Sequence, residues 1–262
     1  MRLVILIGTL ILPPTASAAE PLHAPWQALL DAHVETLSQG YATRVDYDGM
    51  LRDRARLERY LERLASVSRE SFDAWTPARQ LAFLLNAYNA WTIDLVLSAY
   101  PELDSIRDLG NWFRSPWERR FVSLFGKEWT LDELEHDLIR GSGRYREPRI
   151  HFAVNCASIG CPALSKRAFT GDDLDAQLDA ATRRFLSDRS RNRLEDGRLR
   201  VSRIFDWYRG DFESGWRGAD SLAAFLARYA DALELTPEQA QRLAAGEIQI
   251  TFLRYDWGLN DA

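Results

Sequence analysis

Hydrophobic residues recur at helical spacing in several parts of the chain. In residues 26–39 and again in residues 52–67, apolar side chains fall three or four positions apart, which predicts two amphipathic helices. The same spacing predicts further helices at Leu174–Leu186, at residues 221–230 and at residues 237–245. The chain is therefore predicted to be rich in helix.

The most apolar helix is predicted to begin after Thr76 and to stop at Pro101. Thr76 is a capping residue, and a proline follows it at the first helical position. The interior reads LAFLLNAYNAWTIDLVL and is apolar on nearly every side, which predicts a central buried helix. Asn86 and Asn89 lie away from its polar side, so both amides are predicted to face the interior.

Strands are predicted only singly or in hairpins. Residues 149–155 have the pattern of a buried strand, RNRLEDGRLRVS that of a hairpin closed by Asp196 and Gly197, and EIQITFLRY that of a last strand. Between residues 119 and 141 a strand and a turn are followed by a helix with a Thr130 and Glu133 capping box. This pattern predicts an α+β fold: a helix-rich single domain with a small, mainly antiparallel sheet.

The first residues have the pattern of a signal peptide. MRLVILIGTLILPPTASAAE contains one basic residue, a short apolar run and an Ala-Ser-Ala step, which predicts cleavage after residue 18. The apolar run is too short to cross a bilayer. We therefore expect residues 19–262 to form one exported domain, periplasmic or secreted, with no stable membrane insertion.

Charge argues against a nucleic-acid partner. The formal net charge is −5, and removal of residues 1–18 takes away a single arginine and no acid. Phosphate binding needs a basic face, and none is visible in the sequence. There is no glycine-rich phosphate loop either, so no cofactor is predicted, and the expected partner is a small-molecule or peptide substrate.

Both cysteines lie in one run, RIHFAVNCASIGCPAL. Cys156 follows the predicted strand, where a side chain could emerge into a cleft, and a thiolate there would be a strong nucleophile. Cys156 and Cys161 could instead form a disulfide, or both could be inert buried thiols. The spacing matches no common zinc finger, and no metal is predicted.

Two histidines are candidates for a base that serves Cys156. His151 lies five residues earlier on the predicted strand, so contact would need a bulge or a sharp turn, and His136 lies on the flank of the helix after Thr130. Glu135 falls inside the apolar stripe of that helix, where a carboxylate must be paired. It could orient a histidine, or it could bind Arg149 or backbone amides.

Polar groups elsewhere are candidates for substrate binding. Asn86 and Asn89 could aim their amides into a cleft or could bridge elements of the fold, and Asn155 directly precedes the first cysteine. In IFDWYRGDF, Asp206 and Tyr208 stand among aromatic residues. That segment could wall a ligand groove or simply hold a short helix to the core.

Together these motifs resemble the bacterial and plant family named domain of unknown function 547. The matching stretches are VDYDGM, FLLNAYNAWTI, LDELEHDLIR, PRIHFAVNCASIGCPAL, IFDWYRGDF and YDWGLN, in the order of the family. The resemblance implies one α+β domain and points to the residues already singled out. It supplies no established catalytic assignment.

Two functions follow most directly from these residues, and a third, a structural partner in an envelope complex, would need a sizeable exposed apolar patch. The first is a cysteine-dependent hydrolase or acyl transferase acting on amide or thioester bonds of peptide-like or cell-wall substrates. In it Cys156 attacks, His151 or His136 takes the proton, and Glu135 holds the imidazole, in a permuted thiol-protease-like arrangement with the base before the nucleophile. The alternative is a non-catalytic envelope binding module with a Cys156–Cys161 disulfide and a peptide or sugar groove.

Overall fold

The computed structural model describes residues 21–37, 39–110 and 115–262. The predicted signal peptide, residues 1–18, lies outside these described residues. Over the described ranges the fold is helix-rich α+β, as the hydrophobic pattern predicts.

The α-helices are short except for the central one. In chain order they are α1 (Ala24–His33), α2 (Tyr47–Arg52), α3 (Arg54–Ala65), α4 (Arg69–Asp73), α5 (Pro77–Leu97), α6 (Leu131–Glu133), α7 (Leu174–Leu186), α8 (Ile204–Trp207), α9 (Arg209–Phe212), α10 (Leu222–Ala227) and α11 (Pro237–Ala244). A π-helix, Leu134–Arg140, continues α6, and 3₁₀-helices lie at Ile106–Leu109, Pro116–Glu118 and Pro148–Phe152.

The strands form small separate sheets. They are β1 (Val34–Thr36), β2 (Thr43–Val45), β3 (Val122–Leu124), β4 (Lys127–Trp129), β5 (Arg193–Glu195), β6 (Arg198–Val201) and β7 (Ile250–Phe252). The pairs β1 with β2, β3 with β4 and β5 with β6 are antiparallel, whereas β7 adds to β6 in parallel. The prediction of mainly antiparallel pairing is confirmed, but the pairing is divided among several sheets.

Helix α5 is the predicted central helix. The Thr76 hydroxyl accepts a hydrogen bond from the Arg79 amide at 3.3 Å and caps its first turn. Asn86 and Asn89 are buried as predicted, and Gln80, on the expected polar side, is buried as well. The helix is therefore enclosed by the other elements on nearly all sides.

Residues 149–155 do not form the predicted strand. They lie largely within the 3₁₀-helix Pro148–Phe152, because Pro148 fixes the first helical position and the Glu147 carboxylate accepts from the Arg149 amide at 3.1 Å. Arg149 is itself buried between Glu147 and Asp175. Capping and ion pairing therefore outweigh the strand-like side-chain pattern in this segment.

The first helix is also shorter than predicted. It ends at His33, where the backbone turns to the extended conformation and begins β1, which pairs with β2. The apolar spacing continues past this point because Val34, the first residue of β1, is buried as well. Periodicity alone therefore could not locate the helix end.

Buried apolar residues form two clusters. One surrounds α5 and includes residues from α1 to α7, and the other gathers residues of α7 to α11 with β6. The 3₁₀-helix Pro148–Phe152 lies at their junction, since Ile150 belongs to the first cluster and Phe152 to the second. The candidate site lies beside this junction.

Candidate functional site

A pocket of about 240 Å³ opens between the two clusters. Its walls are largely aromatic, and its polar lining comes from Asp132, Glu135 and His151 together with the two cysteines. The aromatic lining residues are Tyr88, Trp117, Trp207, Tyr208, Tyr255 and Trp257. An apolar wall with few convergent polar groups is typical of a small-molecule site.

His151 reaches this pocket from the 3₁₀-helix. Its Nε2 lies 2.7 Å from Asp211 Oδ2, and its ring stacks on Tyr208 with centroids 3.9 Å apart. The Asp211 carboxylate also accepts from Arg140 Nε at 2.6 Å. His151 is therefore fixed on one edge by a carboxylate and on one face by an aromatic ring.

The charges of this pair follow from burial and hydrogen bonding. Burial lowers the pKa of His151 and outweighs the hydrogen bond to Asp211 and the charge of Glu135, so the imidazole is neutral at pH 7. Burial alone would raise the pKa of Asp211, but the hydrogen bonds from His151 and Arg140 outweigh it and lower that pKa. Because the carboxylate only accepts, His151 carries its proton on Nε2, which leaves Nδ1 as an acceptor.

Glu135 faces the free edge of this imidazole. Its Oε1 lies 3.9 Å from His151 Nδ1, and neither atom has a hydrogen-bond partner within the described part of the chain. Burial, followed by the Glu135 charge, raises the pKa of Tyr88 and Tyr208. The pocket therefore contains two buried acceptors that face each other without a donor between them.

The two cysteines form a disulfide at the pocket wall. The Asn155 side chain shapes the loop: its Oδ1 accepts from the Ala157 amide at 2.9 Å, and its Nδ2 donates to the Pro162 carbonyl at 2.8 Å. Cys156 is half-buried and Cys161 is buried. Cys156 is thus the more exposed residue of the pair.

The C-terminal segment closes one side of the pocket against this loop. The Ile159 amide donates to the Gly258 carbonyl at 2.7 Å, and the Gly160 amide to the Asp256 carbonyl at 2.8 Å. A Cβ at Gly160 would lie 2.9 Å from ring atoms of Tyr255, so only glycine allows this approach. The Tyr255 hydroxyl consequently lies 3.1 Å from the sulfur of Cys156 and 3.2 Å from that of Cys161.

Indole rings surround the pocket mouth. Trp257 lies between Trp117 and Trp207, with ring centroids 6.0 Å and 5.7 Å away. Trp207 is 45% exposed and Ile159, in the disulfide loop, is 47% exposed, although most large apolar side chains of the described residues are buried. Exposed apolar residues next to a pocket mark a surface that a ligand can cover.

The structure brings together several residues that the sequence singles out. Cys156, His151, Glu135 and Tyr208 all line this pocket. His136 does not line it, and its Nδ1 lies 2.8 Å from Arg140 Nη1 instead. Of the two histidines, His151 is therefore the one that lies at the pocket.

The three asparagines act within the fold. Asn86 exchanges two hydrogen bonds with the backbone of Phe169, and Asn89 bonds the Ala153 carbonyl and the Asn155 amide. None of the three lines the pocket, and their side-chain atoms bond backbone groups. The bonds of Asn89 and Asn155 support the segment that leads into the disulfide loop, whereas those of Asn86 support Phe169, away from the pocket.

Asp206 also lies outside the pocket lining. Its carboxylate is 3.5 Å from Arg203 Nε, on a partly exposed surface. The acid of the same motif that reaches the site is Asp211, because α8 ends at Trp207 and α9 turns Asp211 toward His151. The sequence shows both acids but offers no local signal for choosing between them.

Other lining residues were not predicted as site residues. Asp132 follows the predicted cap Thr130, and Tyr88 lies between the two buried asparagines of α5. Tyr255 and Trp257 belong to YDWGLN, a stretch that carries the family resemblance, which was the available signal for them. Trp117 lies in the 3₁₀-helix Pro116–Glu118, and no feature of the sequence marks it as a site residue.

No cluster of three or more His, Cys, Asp or Glu side chains in residues 21–37, 39–110 and 115–262 has the arrangement of a metal site. Over the same ranges, no helix combines the length and apolar character needed to span a membrane.

Comparison with known proteins identifies a family. Residues 72–186 match the model of a family described as "Protein of unknown function, DUF547", which confirms the resemblance seen in the sequence. The matched segment contains Glu135, His151 and both cysteines, whereas Asp211 and Tyr255 lie beyond it. Neither curated proteins nor solved structures gave a match to the chain.

Proposed function

We propose that this chain, whose residues 72–186 match the DUF547 family model, is an exported binding module for a small peptide- or sugar-like ligand. The observation that carries the proposal is the aromatic pocket with the closed disulfide in its wall. Of the two functions that follow most directly from the sequence, the binding module is the one that includes a Cys156–Cys161 disulfide. A periplasmic or secreted location is part of the proposal, and an oxidising compartment would keep such a disulfide closed.

The size and lining of the pocket support this ligand class. A volume of about 240 Å³ is at the small end for ligand pockets and suits one sugar ring or one amino-acid side chain. Exposed Trp207 and neighbouring Trp257 offer flat apolar faces, on which the ring of a sugar or the side chain of a peptide can pack.

Binding of a ligand panel tests the proposal. Calorimetric titration with short cell-wall oligosaccharides and with tripeptides is expected to reveal a ligand that binds the untreated protein. Trp207→Ala is expected to weaken that ligand at least tenfold, because its ring forms an exposed wall of the pocket. The matched control Trp75→Ala removes an indole that does not line the pocket and should leave affinity unchanged. Affinity that is insensitive to Trp207 would contradict the proposal.

A cysteine-dependent hydrolase or acyl transferase is the second candidate. It is favoured by one observation: Cys156, His151 and Glu135 line the same pocket although they come from separate elements. In the structure Cys156 is not a free thiol, so a thiol reductant would first have to open the bond to Cys161. The Cys156 thiol would then give its proton to His151 as the sulfur attacks an acyl carbon, and His151 would pass that proton to the departing amine or thiol. Water or a second acceptor would afterwards release the acyl group from the sulfur.

Alkylation and turnover distinguish the two candidates. With the disulfide closed, iodoacetamide should label neither cysteine until a reductant is added, and intact mass reports this directly. If the protein is an enzyme, reduction should start hydrolysis of a thioester, Cys161→Ser should retain it and Cys156→Ser should abolish it. If the protein is a binding module, no thioester hydrolysis above the rate of a Cys156→Ser variant should appear after reduction.

A further inference from the structure

The strongest unexplained feature of the pocket is the pair of acceptors at its base. Glu135 is 5% exposed and His151 is 2% exposed, and both line the pocket. Their facing atoms, Oε1 and Nδ1, have no hydrogen-bond partner in the described residues. A buried polar atom without a hydrogen-bond partner is unfavourable, so the site favours a molecule that supplies a donor.

The distance between Glu135 Oε1 and His151 Nδ1 limits which donor group can bind between them. They lie 3.9 Å apart, which is less than twice an ordinary hydrogen-bond length of about 2.9 Å. One nitrogen atom can therefore lie at hydrogen-bond distance from both. Since Nδ1 of the neutral His151 and the Glu135 oxygen both accept, that nitrogen must carry at least two hydrogens.

The charge of the lining favours a cation in this position. Asp132 and Glu135 are the ionisable carboxylates of the lining, and no lysine or arginine is among the described residues that form it. Nearby Arg140 is paired with Asp211, and within the described residues no ion pair joins Glu135 to a lysine or an arginine. The faces of aromatic rings around the pocket attract a cation as well.

We propose that the pocket binds the primary ammonium group of a small organic amine between Glu135 Oε1 and His151 Nδ1. This inference rests on the proposed binding function and specifies the ligand class. The ammonium donates one hydrogen bond to each acceptor, and the uncharged body of the ligand packs against Trp207 and Trp257 at the mouth. An amino sugar and the side chain of a lysine-like residue both present this group.

Three matched probes test the assignment on the purified protein by NMR titration. Butylammonium carries the charge and the N–H donors, butyltrimethylammonium carries the charge without donors, and 1-butanol carries one donor without charge. We expect butylammonium to bind at least tenfold more tightly than either of the others and to shift the ring signals of His151. Equal binding of butyltrimethylammonium would overturn the hydrogen-bonding assignment, and equal binding of 1-butanol would overturn the requirement for a cation.

A variant pair locates the effect. Glu135→Gln preserves the shape of the side chain but removes its charge, and it should weaken butylammonium at least tenfold while leaving 1-butanol within about twofold. Glu58→Gln changes an exposed carboxylate paired with Arg54 and should alter neither affinity. If Glu135→Gln fails to fold, the relative affinities of the three probes for the wild-type protein still test the ammonium assignment.

Failure of this inference can be told apart from failure of the proposed function. If sugars or tripeptides without a primary ammonium bind the pocket and butylammonium does not, the ammonium site is overturned and the binding module stands. A Glu135–His151 pair bridged only by an ordered water would give the same result. If neither the panel nor butylammonium binds, both proposals fall.

Discussion

One buried histidine, His23, is expected to make folding sensitive to acid. His23 is buried, and its Nδ1 lies 2.7 Å from the Tyr60 hydroxyl. Burial, and secondarily the charge of Arg79, lowers the pKa of His23 from 6.5 to about 4. The His23 imidazole is therefore harder to protonate in the folded protein than in the unfolded chain.

The sign of this effect gives a prediction for His23→Gln. Below pH 6.5 the unfolded state binds the proton more readily, so folding stability falls as the pH drops from 6.5 toward 4. At about 1.4 kcal/mol per pKa unit, the wild type should lose roughly 3 kcal/mol more than the variant between pH 7 and pH 4. Urea denaturation of both proteins at several pH values measures the difference. Parallel losses in the two proteins would show that His23 is not the responsible group.

At the residue scale, the sequence predicts which side chains are buried better than it predicts their hydrogen-bond partners. Glu135 could be placed in the interior because helical periodicity is a local property of the chain. Its unpartnered oxygen could not be predicted, since His151 comes from another element. Asp211 was indistinguishable from Asp206 for the same reason: the partner that selects it lies 60 positions away.

At the scale of elements, α5 supports two parts of the fold through identical amide contacts. Asn86 clamps Phe169 and Asn89 clamps the backbone from Ala153 to Asn155, each with one donated and one accepted hydrogen bond of 2.8 or 2.9 Å. Only the second clamp holds the segment that leads into the disulfide loop. The chain thus offers a matched pair of sites, one beneath the pocket and one away from it.

Alanine substitutions at these two sites should separate stability from binding. Each leaves two buried backbone groups without partners, so Asn86→Ala and Asn89→Ala should both lower the free energy of unfolding by about 2–5 kcal/mol. Asn89→Ala should in addition weaken the pocket ligand several-fold, because the loop that carries Cys156 is released. Denaturation and titration of both variants measure the two effects. An equal loss of affinity in both would contradict a specific role for Asn89.

Element prediction succeeded where local signals agree. Thr76 followed by proline identified the start of α5, and the paired positive φ values at Asp196 and Gly197 match the predicted hairpin turn. It failed at residues 149–155, where a capping carboxylate and a proline oppose the strand pattern. The parallel pairing of β7 with β6 joins distant parts of the chain, and local periodicity carries no information on such pairing.

At the scale of the whole molecule, Phe152 links the site to the second apolar cluster. Its ring is 1% exposed and lies 5.1–6.4 Å from the rings of four other phenylalanines. The same 3₁₀-helix places Ile150 in the first cluster and His151 in the pocket. A substitution that disturbs the packing of the second cluster should therefore also change the position of His151 in the pocket.

Phe152→Ala should lower the free energy of unfolding by about 3–5 kcal/mol, because it leaves a cavity among these rings. The control Ile159→Ala removes an exposed side chain and should cost less than about 0.5 kcal/mol. Far-UV and near-UV circular dichroism should report one coincident urea transition for each protein if the two clusters unfold together. Two separate transitions in the wild type would show that the clusters are independent.

The intrinsic fluorescence of the tryptophans around the pocket mouth should report on the state of the pocket. Trp207 is the most exposed of the three, and the disulfide in the same wall lies in the surroundings of these indoles. A ligand that covers Trp207 should shift its emission to shorter wavelength, and opening the disulfide should brighten it, since disulfides quench excited indoles. Intrinsic fluorescence can therefore screen unlabelled compounds and follow the redox state of the pocket in a single measurement.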